Sequence, residues 1–390
     1  MDRRRFLAGA AAGLGGLAGC AAPLSGGSAA TPAPATATAT ATGGDTTATA
    51  GAQSVAGVDL PVPEDELVRA GAKDSIAAIL RPAFADDWSG LSLDAGDRIL
   101  EPRLADGDVV VGVERGGTAR AYPLRVLNYH EVVNDALGGP LLVTYCSACA
   151  SGVTARRRVD EDTIEFGVSG YLFRSNLVMY DATTDSLWSQ LAATAIRGAR
   201  TGTRLDLVPS ATTTWRAWTD VHPDTEVLLP PPESTTITGG AAPRLYAGDP
   251  LGDAQGPTSE RRPADGGQPH PKTQVVGVVA GGAAKAYPLP AVVAEGPVND
   301  AVGGRPVVVA VAKDDWTLVA YDRRVDGEAL TFGAEGGHLA AGGSRWEVLT
   351  GEAVDGPHEG TRLADAAARS QLFWFTWHDF HPDTAVYTGG

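Results

Sequence analysis

The stretch VVGVERGGTARAYPL, from Val110 to Leu124, returns in the second half of the chain as VVGVVAGGAAKAYPL, from Val275 to Leu289. In each copy, two runs of residues that favour β-strands flank a Gly-Gly turn, which is the pattern of a β-hairpin. The proline near the end of each copy stops the second strand, because proline has no N–H to donate to a ladder. Both halves of the chain therefore open with the same predicted hairpin.

Other short motifs recur in the same order in both halves. They are Asn-Asp-x-x-Gly-Gly (134–139 and 299–304), Arg-Val-Asp (158–160 and 324–326), Phe-Gly (166–167 and 332–333) and Trp-x-Asp-x-His-Pro-Asp-Thr (218–225 and 377–384). A repeat this long indicates a duplicated domain and not the unit of a solenoid. We predict a mainly β protein with short helices, with α+β as the alternative, built as two tandem, related β-rich domains from an internal duplication. Ahead of the first repeat, residues 64–72 are a candidate short helix.

The N-terminal residues have the pattern of an export signal. Residues 2–7, DRRRFL, match the twin-arginine motif, and the uncharged run that follows to Gly19 is too short to span a bilayer. Leu17-Ala18-Gly19-Cys20 matches a lipobox, in which Cys20 is the lipidated residue. We predict a twin-arginine lipoprotein signal (1–19), an Ala/Thr/Pro-rich disordered stalk (20–57), an extension with the first repeat (58–240), a linker (241–273) and the second repeat (274–390).

The charge balance is strongly acidic. The chain has 47 Asp and Glu against 31 Lys and Arg, and lysine is scarce. Such a composition is typical of proteins from brine, and the alternative is binding of cations or basic partners. The acids are scattered along the chain, which favours the halophilic interpretation, and an acidic surface repels phosphate backbones, which argues against nucleic-acid binding.

The residues that could carry chemistry are those that only one half keeps. Cys146-Ser147-Ala148-Cys149 follows a predicted apolar strand, whereas the aligned stretch of the second half, residues 310–315, reads AVAKDD. Once Cys20 is lipidated, Cys146 and Cys149 are the remaining thiols. Three interpretations stay open: thiol-disulfide redox chemistry, a metal or cofactor site, and a static disulfide of an oxidising compartment.

Candidate partners of the cysteines come from the same comparison. His130 aligns with Glu295, so the imidazole is absent from the half that lacks the cysteines, and it could act as a base or a metal ligand beside them. A packed histidine is the alternative. No histidine follows Cys149, so covalent haem attachment is excluded. The cofactor stays unknown, a metal ion held by Cys146, Cys149 and His130 being one possibility.

The first half also has extra sequence between Phe166 and Trp188. The excess falls at Gly170–Asn176 and forms either one wall of a pocket or simply a longer hairpin. After the shared tryptophan, the first half has Ser189-Gln190 where the second has Glu347-Val348. We therefore take four residues as candidate binding residues: Ser175, Asn176, Ser189 and Gln190.

Taken in order, these motifs resemble a bacterial and archaeal family known as domain of unknown function 3179. The motifs that carry the resemblance are AYPL (121–124), NYHEVVN (128–134), VTYC (143–146), Cys149, FGVSG (166–170), SNLVMYD (175–181), LWSQ (187–190) and HPDT (222–225). The family has no established activity. The resemblance implies redox chemistry at Cys146 or Cys149, although family members often have Pro-Leu between the cysteines where this chain has Ser147-Ala148.

The sequence as a whole favours an extracytoplasmic protein, anchored to the cell membrane by lipid at Cys20. Its leading predicted activity is that of a thiol oxidoreductase: Cys146 or Cys149 attacks, the other resolves, and His130 tunes the pKa of the thiol. One alternative is a protein that binds a metal or small ligand through the Cys/His cluster, and another is a non-catalytic surface module with a structural disulfide. The expected partners are the membrane and a redox partner or small ligand that the sequence does not identify.

Overall fold

The structure is a computed structural model, and it describes residues 58–94, 98–239, 246 and 268–390, together with the backbone of 53–55. The predicted signal, Cys20, nearly all of the predicted stalk and most of the predicted linker lie outside the described residues. Residues 51–390 form one compact unit. None of the helices in the described part is long and apolar enough to cross a membrane.

Most of the regular structure is β-strand. In the first half the strands are β1 (Gln53–Val55), β2 (Val58–Leu60), β3 (Leu67–Arg69), β4 (Ile79–Arg81), β5 (Ala83–Ala85), β6 (Leu93–Asp94), β7 (Ile99–Leu100), β8 (Val109–Arg115), β9 (Thr118–Pro123), β10 (Val132–Asp135), β11 (Leu141–Cys146), β12 (Ser151–Arg156), β13 (Arg158–Val159), β14 (Asp162–Thr163), β15 (Phe166–Phe173), β16 (Asn176–Asp181), β17 (Leu187–Ser189), β18 (Thr194–Arg197), β19 (Ala211–Thr214), β20 (Glu226–Leu229) and β21 (Thr235–Thr236). In the second half they are β22 (Gln274–Ala280), β23 (Ala283–Pro288), β24 (Val298–Val302), β25 (Arg305–Val311), β26 (Leu318–Asp322), β27 (Arg324–Val325), β28 (Glu328–Ala329), β29 (Gly333–Glu335), β30 (His338–Ala341), β31 (Ser344–Trp346), β32 (Leu372–Phe373) and β33 (Ala385–Val386).

The helices are short. The α-helices of the described residues are α1 (Leu124–His130), α2 (Trp215–Val221), α3 (Leu289–Glu295) and α4 (Trp374–Phe380), and there are 3-10 turns at Glu64–Glu66, Ser147–Cys149 and Gly356–His358. The prediction of a mainly β protein with short helices is confirmed. The candidate helix over residues 64–72 was too long: the 3-10 turn ends at Glu66 and the chain continues as β3, which pairs with β15.

Six sheets of three to five strands are arranged like the blades of a six-bladed propeller. In the first half their strand orders are β19-β8-β9-β20-β5, β12-β11-β10-β4-β21 and β18-β17-β16-β15-β3. In the second half they are β32-β22-β23-β33, β24-β25-β26 and β29-β30-β31. The first four strands of the first sheet have the same directions in each half: the first three are antiparallel, and the fourth (β20 or β33) is parallel to the third. In the first half, β5 adds an antiparallel fifth strand. The shared order is the one that a duplication predicts, and the duplication itself stays an inference.

The motifs shared by the two halves build the scaffold. The indole of Trp218 covers Gly112, where an added Cβ would lie 2.3 Å from the ring, and Trp377 covers Gly277 in the same way at 2.1 Å. In both halves the tryptophan N–H donates to the threonine of His-Pro-Asp-Thr at 2.9 Å. The histidine of the same motif lies against that tryptophan ring, with centroids 4.1 Å apart in both halves. This motif therefore closes a helix onto a strand.

The Asn-Asp and Phe-Gly motifs, which both halves share, are joined by the same hydrogen bonds in each half. The side chain of Asn134 donates to Phe166 O at 2.9 Å and accepts from Phe166 N at 2.8 Å. Asn299 makes the same pair of bonds to Phe332, both at 2.8 Å. Each carboxamide thus ties one sheet of its half to the next, and it does so in the half that lacks cysteines as well.

Candidate functional site

The two cysteines lie where the edge of the second sheet turns back on itself. Cys146 is the last residue of β11 and pairs with Ser151, the first residue of β12. Between them the chain makes the 3-10 turn Ser147–Cys149, and Ala150 leaves this turn with a φ of 48°, in the left-handed region. Cys146 and Cys149 are joined in a disulfide, and they are 1% and 0% exposed.

The segment that only the first half has is the tip of the β15–β16 hairpin, and it reaches the disulfide. Phe173 pairs with Asn176 across a two-residue turn in which Arg174 and Ser175 have φ values of 49° and 59°. Turns of this kind favour glycine or asparagine, because other side chains are strained at positive φ. Here the turn places the carbonyl oxygen of Ser175 3.0 Å from the sulfur of Cys149.

The same turn in the second half is free of this strain. β29 and β30 are joined by Gly336-Gly337, with φ values of 58° and 80°. At the point where the chain meets a cysteine, the first half therefore has larger residues where the second half has two glycines. Strained backbone that persists at one place is a common property of functional sites.

A buried carboxamide network lies on the other side of Cys149. Asn176 donates to Gln190 Oε1 at 2.9 Å, to Ser151 Oγ at 3.1 Å and to Cys149 Sγ at 3.4 Å. Gln190 donates in turn to Thr144 Oγ1 at 3.1 Å and to the Ser151 carbonyl at 2.9 Å. All four polar residues are 0–1% exposed. A polar network buried this deeply fixes the side chains in one arrangement.

Glu131 is the ionisable group at the cysteine loop. It follows α1 with a φ of 55° and is 8% exposed. The backbone N–H and the hydroxyl of Ser147, which lies between the cysteines, both donate to its carboxylate. Burial nevertheless outweighs these bonds and raises the pKa of Glu131 to about 7. The carboxyl group therefore exchanges its proton near neutral pH.

His130 precedes Glu131 but has oxygen partners at both ring nitrogens. Its Nδ1 lies 2.7 Å from the carbonyl oxygen of Ala77, and its Nε2 lies 3.0 Å from the hydroxyl of Tyr246. The imidazole is 4% exposed and stacks on the Tyr246 ring. The carboxylate of the next residue is the group that reaches the loop between the cysteines.

The second half of the chain covers the disulfide. Thr376 of α4 donates its hydroxyl to the carbonyl oxygen of Cys149 at 3.3 Å. Phe373 and Phe375 belong to the same buried apolar cluster as both cysteines. The site is therefore built by residues of both halves, although its sulfur atoms come from the first.

One family model matches most of the chain. Its description is "Protein of unknown function (DUF3179)", and the match covers residues 73–384. The chain belongs to this family. Neither a curated protein nor a solved structure gives a significant match. The matched residues of this DUF3179 protein include the disulfide, the β15–β16 hairpin, Glu131 and the helix that covers the site.

Three of the four candidate binding residues lie at the disulfide site, and the fourth does not. Asn176 and Gln190 belong to the carboxamide network, and Ser175 meets Cys149 through its carbonyl oxygen. Ser189 lies elsewhere in the hydrogen-bond pattern, because its hydroxyl accepts from Ala192 N at 3.3 Å and closes a turn. The lipidation candidate Cys20 lies outside the described residues.

Sequence reasoning missed Glu131, and the repeat carried a signal for it. Glu131 aligns with Gly296, which ends α3 with a φ of 86°. A charged residue aligned with a glycine that has positive φ indicates strained backbone, and this difference between the halves is visible in the sequence. Ser151 and Thr376 had no such signal, because each reaches the site through the packing of sheets.

The arrangement at the cysteines differs from a metal centre. Within the described ranges, no group of three or more His, Cys, Asp and Glu side chains converges as a set of metal ligands. Sulfur atoms joined to each other cannot act as thiolate ligands, so a metal at Cys146 and Cys149 would need the reduced protein.

Proposed function

We propose that this DUF3179 protein carries out thiol-disulfide redox chemistry, with Cys146 and Cys149 as its redox couple. One observation carries the proposal: the buried carboxyl group of Glu131, with a pKa of about 7, is hydrogen bonded to Ser147, one of the two residues between the cysteines. Thiol-disulfide exchange moves one proton for each sulfur that leaves, and a group that titrates near neutral pH can supply or accept it.

A static disulfide gives no reason for these features. A four-residue loop contributes only about 2 kcal/mol to stability in the chain-entropy model. Burying an ionisable carboxyl group without a cation opposes folding at any pH above the pKa that the group has in the unfolded chain. The strained turn at Arg174-Ser175 adds a further unfavourable contribution beside the same sulfur. Energetically unfavourable structure around a disulfide that adds little stability favours a chemical role for that disulfide.

The surroundings of Cys149 suit a sulfur that leaves and is then protonated. In the reduced protein its S–H can donate to the Ser175 carbonyl, 3.0 Å away, while the sulfur accepts from the Asn176 amide. We therefore assign Cys146 as the sulfur that exchanges with the substrate and Cys149 as the resolving sulfur.

The exchange proceeds in two balanced steps. A substrate thiolate attacks Cys146 Sγ and forms a mixed disulfide, while the S–S bond breaks and Cys149 leaves as a thiolate that takes a proton from Glu131. A second substrate thiolate attacks the substrate sulfur of the mixed disulfide, so a substrate disulfide departs and the Cys146 thiolate takes up a proton from water. Two thiols are oxidised to one disulfide, and the protein disulfide is reduced to a dithiol. The reverse sequence oxidises the protein.

Access to the sulfur atoms passes through the loop between them. Ser147 and Ala148 are half-buried, whereas both cysteines are buried. Attack along the S–S bond therefore requires this loop to shift, and a partner that binds the loop would react faster than a small free thiol.

The decisive experiment combines titration with trapping. The oxidised protein is equilibrated with reduced and oxidised glutathione without denaturant, and alkylation followed by mass spectrometry reports the fraction reduced. We expect a reversible two-electron transition. Cys149→Ser should accumulate a mixed disulfide on Cys146, and Cys146→Ser, the matched control, should accumulate less on Cys149. If the wild-type disulfide resists reduction until the protein unfolds, the bond is structural and the proposal is wrong.

We further propose that the protein acts outside the cytoplasm, held to the membrane by lipid on Cys20. The twin-arginine pattern followed by Leu17-Ala18-Gly19-Cys20 supports this. An oxidising compartment also allows a disulfide to persist. In the native host, Cys20→Ser should release the protein from the membrane fraction, and Cys149→Ser should leave it there. Membrane association that survives Cys20→Ser would contradict lipid anchoring.

A further inference from the structure

A second feature lies in a cleft to which both halves of the chain contribute. Its volume is about 290 Å³. Residues of β8 and of the segment before β19 face residues of β26 and of the segment before β32. The cleft is lined by four arginines: Arg115, Arg156, Arg362 and Arg369.

This concentration of positive charge is unusual in so acidic a chain. The protein has 47 acidic and 31 basic residues, but the cleft has four arginines against the carboxylates of Glu114 and Asp365. Glu114 is already paired with Arg362 at 2.7 Å. Asp365 is then the remaining carboxylate of the lining, and the packing around it raises its pKa. The cleft therefore keeps an excess of positive charge.

The arginines also crowd one another. Burial and the charge of Arg156 lower the pKa of Arg115. Burial and the charge of Arg204 lower the pKa of Arg369 to about 10. Neighbouring like charges that are partly removed from water are stabilised when an anion lies between them.

Hydrogen-bond donors remain available for such an anion. Arg115 donates through one nitrogen to the Leu137 carbonyl at 3.1 Å, and Arg369 donates through Nε to the Leu191 carbonyl at 2.7 Å. Each guanidinium has five N–H groups, so most of them are left over. In the described part of the chain, the Arg156 side chain makes no hydrogen bond or ion pair. Hydroxyl groups of Ser210 and Ser370 line the same cleft.

The cleft also differs between the halves in the way a binding site would. In the repeat, Glu114-Arg115 stands opposite Val279-Ala280. The scaffold of the hairpin does not need these charges, because the second half forms the same hairpin without them. The charged pair therefore belongs to the cleft and not to the fold.

We propose that this cleft binds a small oxyanion, a molecule whose phosphate or carboxylate group is held by Arg115, Arg156 and Arg369. Guanidinium groups bind both kinds of oxyanion in bidentate fashion. The volume is at the lower end of that of small-molecule sites, so the ligand has only a few non-hydrogen atoms. This site is separate from the redox couple and does not depend on it.

Isothermal titration calorimetry with two probes tests the proposal and distinguishes the sources of the oxyanion. Inorganic phosphate and succinate are titrated separately into the oxidised protein at constant ionic strength, set with chloride. Saturable binding of either probe with a dissociation constant below about 1 mM supports the site, and the tighter probe identifies its chemistry. If titration of each probe up to 10 mM (about tenfold above that limit) gives no dissociation constant below about 1 mM, the proposal is overturned.

Variants then locate the bound anion. Arg156→Gln and Arg369→Gln should each weaken binding by about tenfold or more, because each removes a charged donor. Arg156 is exposed, so its replacement leaves the fold intact. The control is Arg216→Gln, in which an exposed arginine paired with Asp220 on α2 is lost. Binding that Arg156→Gln leaves unchanged, or that Arg216→Gln weakens equally, would place the anion elsewhere and refute the assignment.

Discussion

Replacing Glu131 with glutamine should change how the stability of the oxidised protein depends on pH. In the folded protein burial raises the pKa of this carboxyl group to about 7, from an ordinary value of 4.5. Below pH 4.5 the group is protonated in both the folded and the unfolded chain. Between these two values the unfolded chain is ionised while the folded chain keeps its proton, so the free energy of unfolding falls as the pH rises. Above pH 7 the loss is complete.

The size of this effect follows from the difference between the two pKa values. Each pKa unit corresponds to about 1.4 kcal/mol, so the carboxyl group destabilises the folded protein by about 3 kcal/mol at pH 8 relative to pH 4. Glutamine cannot ionise, yet its carbonyl oxygen can still accept from Ser147. Glu131→Gln should therefore match the wild type near pH 4 and exceed its free energy of unfolding by about 3 kcal/mol at pH 8. For a folded unit of this size, that is about 4 °C in melting temperature.

The assay is thermal unfolding of the oxidised protein, without reductant, from pH 4 to pH 8 for wild type, Glu131→Gln and Glu295→Gln. The control removes a carboxylate that is hydrogen bonded to Tyr387 and whose pKa is lowered, so it should not gain stability at high pH. The difference between Glu131→Gln and wild type is the measured quantity, because other titrating groups cancel. Parallel curves across this range would refute the reasoning, since they would mean that Glu131 ionises alike in the folded and unfolded chains.

Three further predictions test the scaffold and the site. Gly112→Ala and Gly277→Ala should each lower the free energy of unfolding by about 1–3 kcal/mol, because in either half the new methyl group meets a tryptophan ring. Chemical denaturation measures this change. An effect in one half alone would contradict the equivalence of the two hairpins. Asn176→Ala should lower the free energy of unfolding by about 3 kcal/mol, because buried partners including Cys149 lose a hydrogen-bond donor. The same substitution should also shift the fraction of reduced protein in the glutathione titration. A change in stability without that shift would show that the carboxamide network does not influence the redox couple. Ser175→Gly should raise the free energy of unfolding by about 1 kcal/mol, because it relieves backbone strain and keeps the carbonyl oxygen at Cys149. Destabilisation in the same denaturation assay would show that the turn is unstrained.

The sequence predicted the strands well where a local rule applied. The hairpin of β8 and β9 and that of β22 and β23 follow from a Gly-Gly turn and a terminal proline, and both occur as expected. In the structure α2 ends at Val221, because the proline that follows His222 disfavours helical geometry at that histidine. The failure at residues 64–72 has a tertiary cause, because β3 is held by pairing with β15, about a hundred residues away.

The site was predictable only in part, for a geometric reason. The comparison of the halves singled out the cysteines and the Gly170–Asn176 excess because these are differences in sequence. It named His130 where the structure directs Glu131 to the cysteine loop, because the residue after α1 has positive φ and no periodicity rule applies there. Long-range contacts such as Thr376 with Cys149 depend on how the sheets close around the molecule, which a single sequence does not reveal.

The contact between α4 and the disulfide changes how the cysteine-free half should be regarded. Although that half has no cysteine, its residues Phe373, Phe375 and Thr376 pack against the disulfide of the first half. On the proposed function, the first half supplies the sulfur atoms and the second half supplies residues that cover them. In a fragment that contains only the first repeat, the cysteines would be exposed to water, so their reactivity would differ from that of the covered pair in the full chain. A substitution in the second half that alters the reactivity of the cysteines would therefore act through direct packing contacts and not over a long distance.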